Sequence, residues 1–399
     1  MGGFSQIMHF IQIIFIIYLG FSALYFFIFA TASLFPYKLK GNQKKLHKYA
    51  VMIPGYKEDE VILDVIEEAV QQDYPSEKYD VIVIADSYQQ DTLDEIKKKP
   101  VTLIEVAFEK STKAKALNKA MDMLPDNTYD VAVILDADNI MERDFLTKIN
   151  EKFTDNRDII QGHRIAKNIN TPFSLLDAIS EEINNNVFRK GHRKMGLSSA
   201  LIGSAMAFRY DYFKKEMKRI HAIGGFDKEL ELVITQGQKI IDYHPQAYVL
   251  DEKIQSSASF SKQRKRWLAA QVNYLQKNFF SAFKLLLLKG NVDYFNKVLQ
   301  FLQPPRLLIL GLVVIINIFS VIFNQPTLMY WWLGILAVVV TGFLFSVPLH
   351  FYNGRTVRAL LFLPLGFLLM LRSLLFHREA RTKFIHTEHS GNIKKKDQS

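Results

Sequence analysis

Residues 7–35 contain no Asp, Glu, Lys or Arg. As a helix this stretch is about 43 Å long, enough to cross a ~30 Å hydrocarbon core with some tilt. It reads as one transmembrane helix. A cleaved signal peptide would need a basic leading region and a shorter apolar core, and the stretch has neither. Three further apolar runs follow at 307–323, 328–347 and 359–376. At 399 residues the chain is too long for one small domain. The expected division is a transmembrane helix over 1–35, a domain of soluble composition over 36–270, interfacial helices over 271–303, transmembrane segments over 304–376 and a polar basic tail over 377–399.

Lysines and arginines beside the spans set the orientation. None precedes the first span, whereas Lys38, Lys40, Lys44, Lys45 and Lys48 follow it, so the central domain is expected in the cytoplasm. The uncharged loop at 324–327 reads as external, and Arg355 with Arg358 as internal. A full third crossing by the last run would then place Arg378, Arg381, Lys383, Lys394, Lys395 and Lys396 outside. Either the tail breaks the rule or one of these segments does not cross fully.

The formal charge of +10 suits anionic lipid and phosphorylated substrates, and equally nucleic acid. Membrane segments at both ends favour the first and leave no nucleic-acid partner expected. The absence of cysteine excludes disulfides, a thiol nucleophile and thiolate metal sites.

Within 36–270, "YAVMI" (49–53), "DVIVIA" (80–85), "VTLIEVA" (101–107) and "DVAVILD" (130–136) read as strands, separated by helical stretches at 57–73, 89–99 and 112–123. This alternation predicts an α/β fold with a mostly parallel sheet. Residues 273–303 mix aromatic and apolar positions with lysines around a Gly-Asn break, the pattern of two short amphipathic helices in the interface.

Each strand end offers polar groups. "VAVILDADNI" (131–140) runs an apolar strand into Asp136 and Asp138, where paired hard oxygens can hold a divalent cation and the cation a diphosphate. An Asp-x-Asp triplet also arises by chance in a chain of this length. "IPGYKE" (53–58) places Pro54, Tyr56 and Glu58 after the first strand, and Asp86 ends the second. Helix capping accounts for a lone acid at such positions equally well. Lys113 and Lys115 begin a helix that can meet phosphate, although lysines there are commonly just solvated.

"GSAMAFR" (203–209), with Gly203 and Ser204, allows close backbone approach to a ligand, or a tight packing seam. In "GGFDKELEL" (224–232), Glu229 and Glu231 are candidate general bases, or an ordinary acidic first turn. In "SKQRKRWLAAQ" (261–271), Gln263, Arg266 and Trp267 fall at i, i+3 and i+4, so an amide, a guanidinium and an indole share one helix face.

Together "PGYKE", "IADSYQQDT", "KAKALN", "DAD", "GSAMAF", "ELEL" and "QRKRW" resemble, in order, the motifs of membrane-embedded family 2 glycosyltransferases, the group of cellulose, hyaluronan and poly-N-acetylglucosamine synthases. The resemblance implies a GT-A type mixed, mostly parallel sheet between transmembrane helices. It implies that Pro54, Tyr56, Glu58, Asp86, Lys113, Asp136, Gln263 and Arg266 bind UDP, and that Asp136 and Asp138 hold Mg2+ or Mn2+. Gly203, Ser204 and Trp267 would meet the acceptor, and Glu229 would be the base, with Glu231 as second candidate. Asp227-Lys228-Glu229 departs from the Thr-Glu-Asp of that group, and Ala205 stands where glycine is frequent.

The implied reaction is inverting transfer from a UDP-sugar to a growing polysaccharide or a lipid-linked acceptor, in exopolysaccharide or capsule synthesis. The implied setting is a bacterial inner membrane with the catalytic domain in the cytoplasm, with accessory secretion subunits as further partners. A non-catalytic membrane-anchored nucleotide-binding or scaffold protein is the rival reading. A transporter is disfavoured, because the apolar runs carry almost no charge besides Arg372.

Overall fold

The expected strands pair side by side. A computed structural model describes residues 2–222, 224–322 and 326–375. In it β1 (Tyr49–Tyr56), β2 (Tyr79–Asp86), β3 (Thr102–Val106) and β4 (Val131–Ile134) form a parallel half-sheet in the order β3-β2-β1-β4. Four strands that the sequence does not announce extend it: β5 (Ile140–Met141), β6 (Ile159–Ala166), β7 (Met206–Arg209) and β8 (Asp242–Asp251). The full order is β3-β2-β1-β4-β7-β6-β8-β5, with β7 antiparallel to β4 and β6, and β6 parallel to β8. The sheet is therefore mixed and mostly parallel, as expected.

Both faces of the parallel half are covered, which is why its strands read as unbroken apolar runs. Val51, Ile53, Val81, Val83, Val133 and Leu135 point into one core, and the alternating Ala50, Met52, Ile82, Ile84, Ala132 and Ile134 into the other. All are essentially inaccessible to solvent. Because β7 runs against β4, with Ile134 opposite Met206, the Gly203–Ala205 loop reaches the carboxyl end of β4. Because β6 and β8 run parallel, with Ala166 opposite Asp251, their carboxyl ends arrive at the same rim. Topology thus gathers Tyr56, Asp86, Asp136, Arg164, Gly203 and Asp251 at one edge.

Two helices do lie over 273–303, but the first of them is not short. One helix of 33 residues, Ser257–Lys289, carries both the Gln263-to-Trp267 motif and the first interfacial segment, so the expected boundary at 270 falls inside it. The Gly-Asn break is real: Gly290 turns the chain with φ +61, and Asn291 caps Val292–Leu302 by accepting the Tyr294 N–H.

Phe10–Leu34 and Leu328–Ser346 are long and apolar enough to cross a membrane. Val292–Leu302 with Arg306–Ile322 is bent by 54°, and Gly354–Leu360 with Leu363–Leu375 by 46°, so the count rises to four only if each bent pair makes one span. The loop at 323–325 and the basic tail over 377–399 lie outside the described residues. Leu19, Ala23, Val313, Trp332 and Val339 pack the apolar helices together, while Phe10, Ile17, Leu24, Trp331 and Leu344 face outward.

Glycine permits the closest crossings. A Cβ on Gly311 would lie 2.2 Å from the Phe367 ring, and one on Gly342 2.8 Å from Phe26. At Gly191 a Cβ would lie 2.3 Å from the Phe29 carbonyl. Gly191 ends a π-helical segment, Asn185–Gly191, that presses the central domain against the first apolar helix. There His192 stacks on Phe29 at 3.7 Å, and its Nε2 lies 3.0 Å from the Tyr25 hydroxyl.

Candidate active site

Three carboxylates meet at the rim. Oxygens of Asp136, Asp138 and Asp251 lie within 4.8 Å of one another. Asp136 and Asp138 follow β4, and Asp251 ends β8. Asn139 ties them together from beneath: its Nδ2 donates to Asp138 Oδ1 and Asp251 Oδ1, each at 3.0 Å, and its Oδ1 accepts the Asp136 N–H at 3.3 Å and the Ser204 hydroxyl. Asn139 is fully buried. A hard, all-oxygen donor set held this way suits Mg2+ or Mn2+. The cluster is the one candidate metal site of three or more such ligands among the described residues.

Cations surround it. Lys113 Nζ donates to Asp136 Oδ1 at 2.5 Å and to the Leu135 and Gly203 carbonyls at 3.0 and 2.8 Å, fastening the glycine loop to β4. Arg164 Nη1 lies 3.4 Å from Asp251 and 3.8 Å from Asp136, and Lys253 Nζ 2.8 Å from Asp251. Despite burial, Arg164 and Lys253 hold Asp251 below the usual carboxylate range. The same arginine and lysine, with Arg189, hold buried Glu181 well below it.

The strand ends are shaped by strained backbone. Lys57, Ser87 and Ala205 adopt φ of +56, +59 and +52, a region that side chains rarely occupy. Two of them directly follow Tyr56 and Asp86, and the third sits where glycine was the frequent residue. Gly55 is required for another reason: a Cβ there would lie 1.9 Å from the Tyr88 hydroxyl.

On the far wall, the Phe226–Gln236 helix begins after Gly225. Glu229 lines the cavity, and its Oε2 accepts the His221 N–H at 3.2 Å. Asp227 lines it too, and burial, opposed by Lys228, raises its carboxyl above the usual range. Glu231 is placed differently. It is 3% exposed, with Lys297 at 2.7 Å and Lys228 at 3.0 Å, and these lysines outweigh its burial and hold it down at about 2.

One cavity of about 1990 Å³ collects these groups. Of the residues singled out in the sequence, Pro54, Tyr56, Glu58, Asp86, Lys113, Asp136, Asp138, Gly203, Glu229, Glu231, Gln263, Arg266 and Trp267 all line it. Ser204 does not: its side chain is buried and its hydroxyl turns inward to Asn139. Gln263, Arg266 and Trp267 lie on one continuous helix, and the Trp267 ring stacks under the Arg264 guanidinium at 4.2 Å. Burial lowers the Arg266 guanidinium from its usual range, with the nearby Asp136 carboxylate opposing that shift. Asp251, Asn139, Arg164 and Asp227 were missed. "QAYVLD" ends an apolar alternation in an aspartate just as "VAVILD" does, and that was the available signal for Asp251.

A family profile described as "Glycosyltransferase like family 2" matches residues 47–270, the whole of this sheet and the start of the long helix. The chain belongs to this glycosyltransferase family. A mannosyltransferase from Pyrobaculum calidifontis, solved with GDP-Man and Mn2+, has a similar fold, with TM-score 0.51 at 16% identity over 82% of this chain and 95% of that one. A glucosyl-3-phosphoglycerate synthase from Mycobacterium tuberculosis, solved with Mn2+, UDP and glucosyl-3-phosphoglycerate, aligns over 53% of this glycosyltransferase and 72% of its own chain, at 14% identity and TM-score 0.35. No curated protein matches the chain. The mixed sheet is that of a GT-A glycosyltransferase.

Proposed function

We propose that residues 36–270 are the catalytic domain of an inverting transferase that moves a sugar from a UDP-sugar to an acceptor hydroxyl at a membrane, with 1–35 and the apolar helices after 304 as its anchor. The reading rests on one observation above others: Asp86, Asp136, Glu229 and Arg266, from four separate elements, line a single cavity. Asp86, at the end of β2, would meet the nucleoside, with Tyr56 and Glu58 at the adjoining strand end.

Asp136, Asp138 and Asp251 would hold the divalent cation, Mg2+ or Mn2+, which when bound neutralises and orients the donor's diphosphate. Arg266 adds a guanidinium fork to the same charge as it grows on the leaving group. Lys113 keeps the Gly203 loop against β4. Glu229 takes the acceptor proton, because a carboxylate held as low as that of Glu231 is a weak base. The acceptor oxygen bonds to the anomeric carbon, the bond from that carbon to the diphosphate breaks, and the electron pair leaves with the nucleotide.

The acceptor is a growing polysaccharide or a lipid-linked saccharide, and the process exopolysaccharide or capsule synthesis on the cytoplasmic side of a bacterial inner membrane. Incubating purified protein and Mn2+ with UDP-glucose, UDP-N-acetylglucosamine, UDP-galactose, UDP-glucuronate or GDP-mannose, and measuring nucleotide release, tests the reading. Release from one UDP-sugar that EDTA abolishes supports it. Nucleotide binding without release from any donor would point to the non-catalytic reading instead.

A further inference from the structure

The cavity is larger than its proposed donor needs. Small-molecule sites commonly enclose about 300–1,000 Å³, and this one holds about 1990 Å³. Its lining continues beyond the aspartates to Leu310, Val340, Phe343, Leu363 and Met370, all on the apolar helices. Polar rim and apolar arm are therefore one space.

Two arginines stand where the one passes into the other. Arg264 Nη2 donates to Asp177 at 3.0 Å, and its guanidinium lies between the rings of Trp267 at 4.2 Å and Phe260 at 4.8 Å. Arg306, the first residue of the Arg306–Ile322 helix, donates from Nη2 to Asn184 at 2.7 Å, and its guanidinium lies 5.5 Å from Phe188 and 5.7 Å from Phe26. Arg306 has no carboxylate within ion-pair distance among the described residues. Its Nη1 is buried without a hydrogen-bond partner, as is Arg264 Nε. The nearest acid is shared: Glu181 also pairs with Arg164 at 3.1 Å and Arg189 at 3.0 Å. Buried charge is ordinarily paired. Here two guanidinium groups line the passage, each with one buried donor that no group among the described residues accepts.

Resting on the glycosyltransferase reading, we propose that Arg264 and Arg306 bind the phosphate or diphosphate of a lipid-linked acceptor whose single hydrocarbon chain occupies the apolar arm. Planar guanidinium forks match phosphate oxygens, and a phosphorylated hydrocarbon chain matches both parts of the passage. The lipid phosphate stays intact in the transfer. A hydroxyl of the saccharide it carries bonds to the donor's anomeric carbon, the bond from that carbon to the nucleoside diphosphate breaks with its electron pair, and the proton passes to Glu229.

The test uses the full chain in detergent with EDTA present, so that diphosphate gains nothing from the aspartate cluster. Thermophoresis reads the binding of farnesyl diphosphate, farnesol, inorganic diphosphate and the phosphate-free glycan cellohexaose. Farnesyl diphosphate is expected to bind at least tenfold more tightly than the other three. Its affinity should fall at least tenfold in Arg306→Gln, less in Arg306→Lys, and at least tenfold in Val340→Trp, which fills the arm without touching charge. Equal binding of farnesol or inorganic diphosphate overturns the proposal, as does tighter binding of cellohexaose, which would mark a glycan passage. Unchanged affinity in both Arg306→Gln and Val340→Trp overturns it too. UDP binding with Mn2+ is measured separately, and its absence in the unaltered protein counts against the transferase reading alone.

Discussion

Lys297 Nζ lies 2.7 Å from Glu231 Oε1, with the two side chains 1% and 4% exposed. The pair joins the Val292–Leu302 helix to the helix that bears Glu229. Removing one member of a buried pair leaves an uncompensated charge, typically at about 3–5 kcal/mol. Lys297→Met should therefore lower unfolding free energy by about that amount in urea titrations. The double variant Lys297→Met with Glu231→Leu should recover most of the loss.

Glu229→Gln keeps the shape of the side chain and removes its basicity. Turnover should drop by about 10²–10⁴-fold while UDP affinity in Mn2+ changes little, as read by product formation and by calorimetry. Full turnover in this variant would move the base role to Asp227.

Asn139 touches all three aspartates or the backbone beside them, yet would not itself meet a metal. Asn139→Ala should weaken Mn2+ binding by about 10–100-fold, the usual effect of losing a partner that orients ligands. Asp251→Asn, which alters a ligand directly, should weaken it further. Electron paramagnetic resonance of free Mn2+ measures both.

Burial, with Lys297 adding to it, pushes the His192 imidazole down to about 3. The unfolded chain protonates this residue below about pH 6.5, whereas the folded chain does not until far lower. Its contribution to stability is thus complete above about pH 6.5 and falls as the solution is acidified from there. Between pH 6.5 and 5 the loss should be about 2 kcal/mol, at about 1.4 kcal/mol per unit. Unfolding of wild type and His192→Gln across that range isolates it, since the variant should lack this slope.

The parallel half of the sheet was legible because strands buried on both faces read as unbroken apolar runs, and Asp86, Asp136 and Asp138 could be placed at their ends. β6 and β8 were not, because "IIQGHRIA" and "DYHPQAYVLD" interrupt their apolar pattern with His, Arg, Pro and Gln; Arg164 lines the site, whereas Gln161 bonds the Ser204 and Ala205 carbonyls and His163 bonds Glu182. The sequence also offered Glu229 and Glu231 as near equals. Two residues apart on a helix is roughly 200° of rotation, and only the packing against Lys297 shows which of them is turned inward. Ser204 read as a ligand contact because its small-residue stretch permits close backbone approach, and the Asn139 side chain that claims its hydroxyl comes from another strand end.

The Ser257–Lys289 helix joins two requirements in one rigid object. The guanidinium of Arg266 beside Asp136 and the contact between that helix and the Leu363–Leu375 segment lie on the same uninterrupted rod. Chemistry and anchorage consequently share a single geometric variable. Rolling or tilting that rod against the apolar helices would carry Arg266, and with it the clamp proposed for the donor, through a corresponding lever arm.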